Sequence, residues 1–182
     1  SEVSSDFSKQ KIKNHNASNG RKCLNETFFR KSIGHTFKTD VTTLSVNDYL
    51  PWEQAYSVLY SMLEGLSKAF SIERNDVDGT IDYIYSRSGN SSTRFILFDT
   101  VPGGAGHVRR LGKATEEEIL DVFKVSYDLV KDCHCDENTA CYSCLQNYRN
   151  QAMHDSLERR FAVDFFERVF YDYEKFQRRG IE

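Results

Sequence analysis

The sequence predicts an α+β fold, a small, mostly antiparallel sheet packed by helices, closed at its C-terminal side by a four-cysteine loop and a long helix. Three observations predict it. Strand-like runs near 37–46, 80–85 and 93–99 are interleaved with amphipathic stripes near 52–70 and 115–131, the pattern of strands and helices sharing one core. Four of the five cysteines fall between Cys133 and Cys144, directly after the second stripe. A third stripe, Phe161, Phe165, Val169, Tyr173 and Phe176, follows them at helical spacing.

The elements follow in order. Residues 1–33 are rich in Ser, Asn, Lys and Gln without clear periodicity, which reads as a flexible entry segment or severed linker. Within it His15 and Cys23 bracket the turn signal Asn19-Gly20 and could form half of a second metal site. Residues 34–182 form the single domain. Thr36, Thr39, Val41, Thr42, Thr43 and Val46 favour a strand by β-branching. Pro51 suits a first helical turn, and Ala55, Val58, Leu59, Met62, Leu63, Leu66 and Phe70 hold one face of a helix over 52–70. Asp76 to Gly79 read as a turn, Thr80 to Tyr85 as a strand, and Ser86 to Ser92 as a hairpin connection. Phe95-Ile96-Leu97-Phe98 is uninterrupted apolar sequence, expected of a strand covered on both faces. Thr115 with Glu118 makes a capping box for a helix over 115–131, which delivers Cys133. Asp155 is placed to cap the last helix, over 155–176.

The cysteines carry the sharpest chemical signal. Cys133-x-Cys135 and Cys141-x-x-Cys144 put four thiols on one short loop, which suits a tetrahedral Zn²⁺ far better than strain-free disulfides. Four sulfurs fill every coordination position, so the site reads as structural. His134 could replace one of the four. The polar, Lys-rich N-terminal stretch has no secretory character, so a reducing cytoplasm is the expected compartment.

Composition excludes other classes. Charged residues at 28% and hydrophobic ones at 39% describe an ordinary globular chain, and no apolar run is long enough for a membrane partner. A net charge of −3 restricts any nucleic-acid contact to local basic patches, of which Lys9 with Lys11 and Lys13, Arg109 with Arg110 and Lys113, and the strip Arg149, Arg159, Arg160 are the options. The loop containing Gly103, Gly104 and Gly106 follows a strand and precedes helical sequence, so its N–H groups could either converge on a phosphate or merely turn the chain. It is no Walker A motif, because five residues instead of four separate Gly106 from Gly112 and Ala114 stands where a Ser or Thr is needed. No nucleophile elbow or zinc-protease motif occurs. Asp99, His107 and His154 could form an acid/base set, but each stands alone, and no enzyme activity is expected of the chain by itself.

Gly34-His35-x-Phe37-x-Thr39-Asp40-Val41, Phe98-Asp99-Thr100-x-Pro102-Gly103-Gly104-Ala105-Gly106, the four cysteines, and Cys144-Leu145-x-x-Tyr148-x-Asn150-Gln151-x-x-His154-x-x-Leu157-x-Arg159 together resemble the MrfA-type zinc-binding domain, over about residues 34–160. Such domains are found at the C-terminus of DEAD/DEAH-box DNA helicases of bacteria and archaea and in a DISARM phage-defence component. His107, where an aromatic is common, and Glu158-Arg159, where Asp-Arg is usual, depart from the pattern. The resemblance implies that Cys133, Cys135, Cys141 and Cys144 bind Zn²⁺ while ATP hydrolysis belongs to a helicase core in the same polypeptide or complex. The expected function is a non-catalytic accessory domain that helps engage or guide DNA, in repair or antiviral defence, with contacts at Gly103, Gly104, Gly106, Arg109, Arg110 and Lys113. The alternative is a protein-interaction module joining subunits of a defence complex without touching DNA.

Overall fold

A computed structural model describes residues 36–85 and 91–179, with 2–3, 10–13, 16, 20–22 and 27–28 of the N-terminal part; His15, Cys23 and most of the 86–92 connection lie outside the described residues. The chain divides into two units, 1–36 and 37–182. In the first, β1 (Glu2–Val3) pairs antiparallel with β2 (Gln10–Lys13), which pairs with β3 (Thr27–Phe28). Asn16 bridges Lys22 around Gly20, whose φ of 77° is the left-handed conformation that the Asn-Gly signal foretells. Strand pairing here runs through segments whose composition carries no strand periodicity.

The second unit is built on an antiparallel sheet ordered β4-β6-β5, from β4 (Val41–Val46), β5 (Val77–Tyr85) and β6 (Ser91–Asp99). Helices α1 (Trp52–Phe70), α3 (Glu116–Lys131) and α4 (Arg159–Arg179) complete it, with a short α2 (His107–Leu111) after the glycine loop. The apolar stripe of α1 places Leu59, Leu63 and Leu66 against Phe95, Leu97 and Val77 in the core. On β6 Thr93, Phe95, Leu97 and Asp99 are buried, while the alternate Arg94, Ile96 and Phe98 are half-buried. The expected double burial of this strand is thus a one-sided burial, every second side chain facing the core.

Further boundaries differ from the sequence reading, the strand expected near 37–46 starting only at Val41. β5 begins at Val77 instead of Thr80: residues 74–76 form a short 3₁₀ turn, held as Arg74 donates to Glu64 and to the Val77 carbonyl, both at 2.9 Å. Gly79 is therefore inside the strand, where a Cβ would come within 2.8 Å of Leu59 Cδ1. The closing helix starts at Arg159, not near Asp155, because residues 148–156 form 3₁₀ turns capped reciprocally by Asn147 and Asn150. Thr115 and Glu118 do make the capping box of α3.

The crossing of α1 and α3 depends on small residues. Ser61 Oγ donates to the Ser126 carbonyl at 3.0 Å, and a Cβ added to Gly65 would lie 1.9 Å from Ser126 Oγ and 2.8 Å from the Ser126 backbone nitrogen. We expect Gly65→Ala to lower stability by about 3 kcal/mol, at the upper end of overpacking costs, since backbone must move. Urea unfolding checks this, and a loss under about 1 kcal/mol would mean that the helices separate freely.

Candidate metal centre

Local sequence brings the four sulfurs together. α3 ends at Lys131 and releases the chain at Cys133; Asp136 then turns it, its carboxylate accepting from the Asn138 N–H at 2.8 Å and its carbonyl from the Thr139 N–H at 3.2 Å. Cys141 opens a second turn in which its carbonyl accepts from the N–H groups of Cys144 and Leu145 at 3.0 and 3.1 Å. Buried Leu145 and Leu157 anchor the loop in the core.

The resulting Sγ separations are 3.5 Å for Cys133 to Cys135 and to Cys141, 3.9 Å for Cys135 to Cys144, and 3.8 Å for Cys141 to Cys144. A ZnS₄ tetrahedron with bonds of about 2.3 Å has edges of about 3.8 Å, so the thiols fit zinc and are far from disulfide distance. All four sulfurs lie within 4.8 Å of one another. Exposed His134 is not part of this group. The Cys141 N–H points to Cys144 Sγ at 3.2 Å and the Ser143 N–H to Cys141 Sγ at 3.4 Å, donors that stabilise thiolates. Without metal, burial pushes the Cys144 thiol strongly up and raises Cys135. Burial also acts on Cys141, but the Ser143 N–H and the neighbouring thiols outweigh it and bring its pKa down to about 7.

A polar lattice ties this loop to the helices. The first N–H groups of α4 are accepted by the loop itself, Arg159 N–H by the Thr139 carbonyl at 2.9 Å and Arg160 N–H by the Glu137 carbonyl at 3.0 Å. Ser57 Oγ of α1 accepts from the Glu158 N–H at 3.1 Å. The Arg159 guanidinium turns inward, donating to the Cys135 carbonyl at 3.0 Å and to the Val130 carbonyl at 3.2 Å. Arg159 is thus not a member of an open basic strip. Buried Asn150 donates to the Leu145 carbonyl at 2.8 Å and, through Oδ1, faces His154 Nε2 at 2.9 Å. Since Nε2 also faces the Asn147 carbonyl at 3.0 Å, it carries the ring proton. Tyr142 packs edge-on against His154, with centroids 5.4 Å apart.

The glycine loop is organised around an anion that the chain supplies. Fully buried Asp99 accepts through Oδ2 from the N–H groups of Ala105 (2.7 Å), Gly106 (2.6 Å) and His107 (3.2 Å), and through Oδ1 from Val108 (3.0 Å). Gly103 and Gly104 donate to the Lys38 and Val101 carbonyls. The expected convergence of N–H groups is present, but a carboxylate already takes the place of a phosphate. Asp99 is also too enclosed to join an acid/base set, and His107 lies instead 3.8 Å from Asp76. Arg109, Arg110 and Lys113 remain exposed beside this loop; Arg109 reaches Asp40, and the Arg110 guanidinium lies 3.9 Å over the Phe70 ring.

Residues 58–145, which include all four clustered cysteines, match the family described as the MrfA Zn-binding domain. The Druantia protein DruE of Escherichia coli (strain UMEA 4076-1) is 25% identical over 83% of this chain, which spans only 9% of DruE. Among solved structures, the DUF1998 helicase MrfA bound to DNA matches with a TM-score of 0.51 and 14% identity, over 84% of this chain and 19% of that one, which speaks for the shared fold. No helix among the described residues is long and apolar enough to cross a membrane. The chain thus matches the MrfA Zn-binding domain over residues 58–145, and its cofactor is zinc.

Proposed function

We propose that Cys133, Cys135, Cys141 and Cys144 hold one structural Zn²⁺, and that the domain is a non-catalytic accessory part of an ATP-dependent DNA helicase, or of a helicase's partner in antiviral defence, that helps engage or guide DNA. The sulfur tetrahedron carries the structural reading, since four thiolates leave no coordination position for water or substrate. Likeness in sequence to a Druantia protein and in fold to a DNA-bound helicase supports the wider role.

In this reading the DNA backbone passes α2, where Arg109, Arg110 and Lys113 are exposed. A guanidinium stacked on an aromatic ring keeps its N–H edge free for phosphate oxygens. Gly103 and Gly106 contribute a bare surface instead of donors, a Cβ there meeting nothing within 4 Å, while Gly104 lets the loop pack against Asp40, whose Oδ2 would lie 2.6 Å from a Cβ. Contacts of this kind carry no base specificity. Arg109→Ala with Arg110→Ala is expected to weaken single-stranded DNA binding uniformly across sequences and to reduce the salt slope by about one to two units. Titrations at several salt concentrations measure both. Unchanged affinity at low salt, with the fold intact, overturns the DNA-guiding role and leaves a protein-interaction module.

A further inference from the structure

Two carboxylates lie against the glycine loop, and they are served unequally. Asp99 has its four N–H partners, whereas neighbouring Asp40, whose carbonyl accepts from the Asp99 N–H at 3.2 Å, has a buried Oδ2 with no hydrogen-bond partner. The loop could have supplied one. Instead the Gly103 and Gly104 N–H groups go to the Lys38 and Val101 carbonyls, and the loop closes over the Asp40 side chain so tightly that a Cβ on Gly104 would lie 2.7 Å from its Cγ. Only Oδ1 is answered, accepting from Arg109 Nη2 at 2.5 Å.

Stability does not account for this pair. A buried acceptor left unsatisfied costs more than an ion pair with a solvent-exposed partner returns, and the Arg109 side chain is 61% exposed against 16% for Asp40. What the pair does achieve is to fix a cation. Arg109 is otherwise a long, rotatable stem on the five-residue α2; with Nη2 anchored, the remaining N–H groups of its fork are available in one orientation. Arg110 beside it is fixed by a different means, its guanidinium lying over the Phe70 ring. Both arginines of α2 are thus held by the fold before a ligand arrives, and donors already immobile give up less conformational entropy when a phosphate binds.

We propose that Asp40 is a positioning residue of the α2 surface, holding Arg109 beside Arg110 as a pre-set pair of guanidinium groups for phosphates of the DNA backbone. This rests on the DNA-guiding role proposed above. Charge and positioning predict opposite signs: deleting a carboxylate beside a phosphate site raises affinity if only the field counts, and lowers it if the orientation of Arg109 counts.

Asp40→Ala in the full chain is therefore expected to weaken oligothymidylate binding about threefold to fivefold, although the net charge becomes less negative. Asp40→Asn, which keeps an oxygen for Arg109, should recover part of that loss. The midpoint of urea denaturation should stay level or rise in Asp40→Ala, because the orphaned oxygen is gone. In an Arg109→Ala background the same substitution should weaken binding no further. Affinity at or above that of the parent in Asp40→Ala, an equal loss in the Arg109→Ala background, or a lowered midpoint overturns the proposal. Full affinity in Arg109→Ala overturns it as well, and only full affinity in the Arg109 and Arg110 double variant also removes the DNA-guiding role.

Discussion

Removing the metal is expected to unfold the loop between α3 and α4 and to fray the start of α4, whether by chelation or by substituting Cys141→Ser and Cys144→Ser together. Cys133, Cys135 and Cys141 are only half-buried, so the loop has little apolar burial besides Cys144, Leu145 and Leu157 to hold it. Structural zinc sites contribute about 10 kcal/mol or more of apparent binding free energy in small peptides, comparable to the whole stability of a domain. Once the loop opens, the carbonyls of Glu137 and Thr139 no longer meet the N–H groups of Arg160 and Arg159. Hydrogen exchange should then show protection lost in the first turn of α4 and retained in β6, while elemental analysis of the untreated protein gives one zinc per chain. Full zinc in the double variant, or unchanged protection after chelation, would remove the cysteines from the metal site. Acid should act in the same direction: the metal needs thiolates, and burial raises Cys144 and Cys135, so protons displace zinc increasingly as pH falls.

Asp99→Ala is the second large effect. It would leave four N–H groups without their acceptor, that of buried Val108 among them, and charge-assisted hydrogen bonds of this kind are worth about 1.5 to 3 kcal/mol each. Part of the loop can turn to water, so the net loss should be about 3 to 5 kcal/mol. Asp99→Asn should recover only some of it, because an amide presents donors where all four partners are donors. The midpoint of urea denaturation measures the losses. An unfolding free energy within about 0.5 kcal/mol of the parent for Asp99→Ala would show that the loop is not built on this carboxylate.

These two sites differ in how far the sequence discloses them. The cysteines are legible because their spacing is local: four thiols on one loop can meet without help from the rest of the chain. α1 and α3 are legible for the same reason, their stripes and the Thr115 box being written within a few turns. Asp99 is not, since its partners are backbone groups and backbone leaves no mark in side-chain identity. The glycines point correctly to converging N–H groups, but a carboxylate several residues upstream looks no different from a free acid. The start of α4 is hidden in the sequence because Asp155 is a good local cap, whereas Ser57 and the carbonyls of 137 and 139, which meet residues 158–160 in the folded chain, are distant in sequence or anonymous. Arg159 reads as one of three basic residues until its inward bonds to Cys135 and Val130 are seen. Gly65 and Ser126 likewise look like weak helix positions, and only the helix crossing explains them.

The strand order β4-β6-β5 has a kinetic consequence. β5 and β6 are joined through residues 86–90, so they can pair by closing a short loop, and α1 precedes them closely enough to cover their inner face early. β4 must instead find β6 across the whole of α1 and β5, with Val41 meeting Phe98, and loop-closure entropy grows with that separation. The edge strand and the α4 tie therefore join late, onto a helix-and-hairpin platform that stands before either arrives. Refolding followed at separate sites should show β5 and β6 gaining protection first, at a rate indifferent to zinc, and α4 gaining it in a slower step whose rate follows the metal supply.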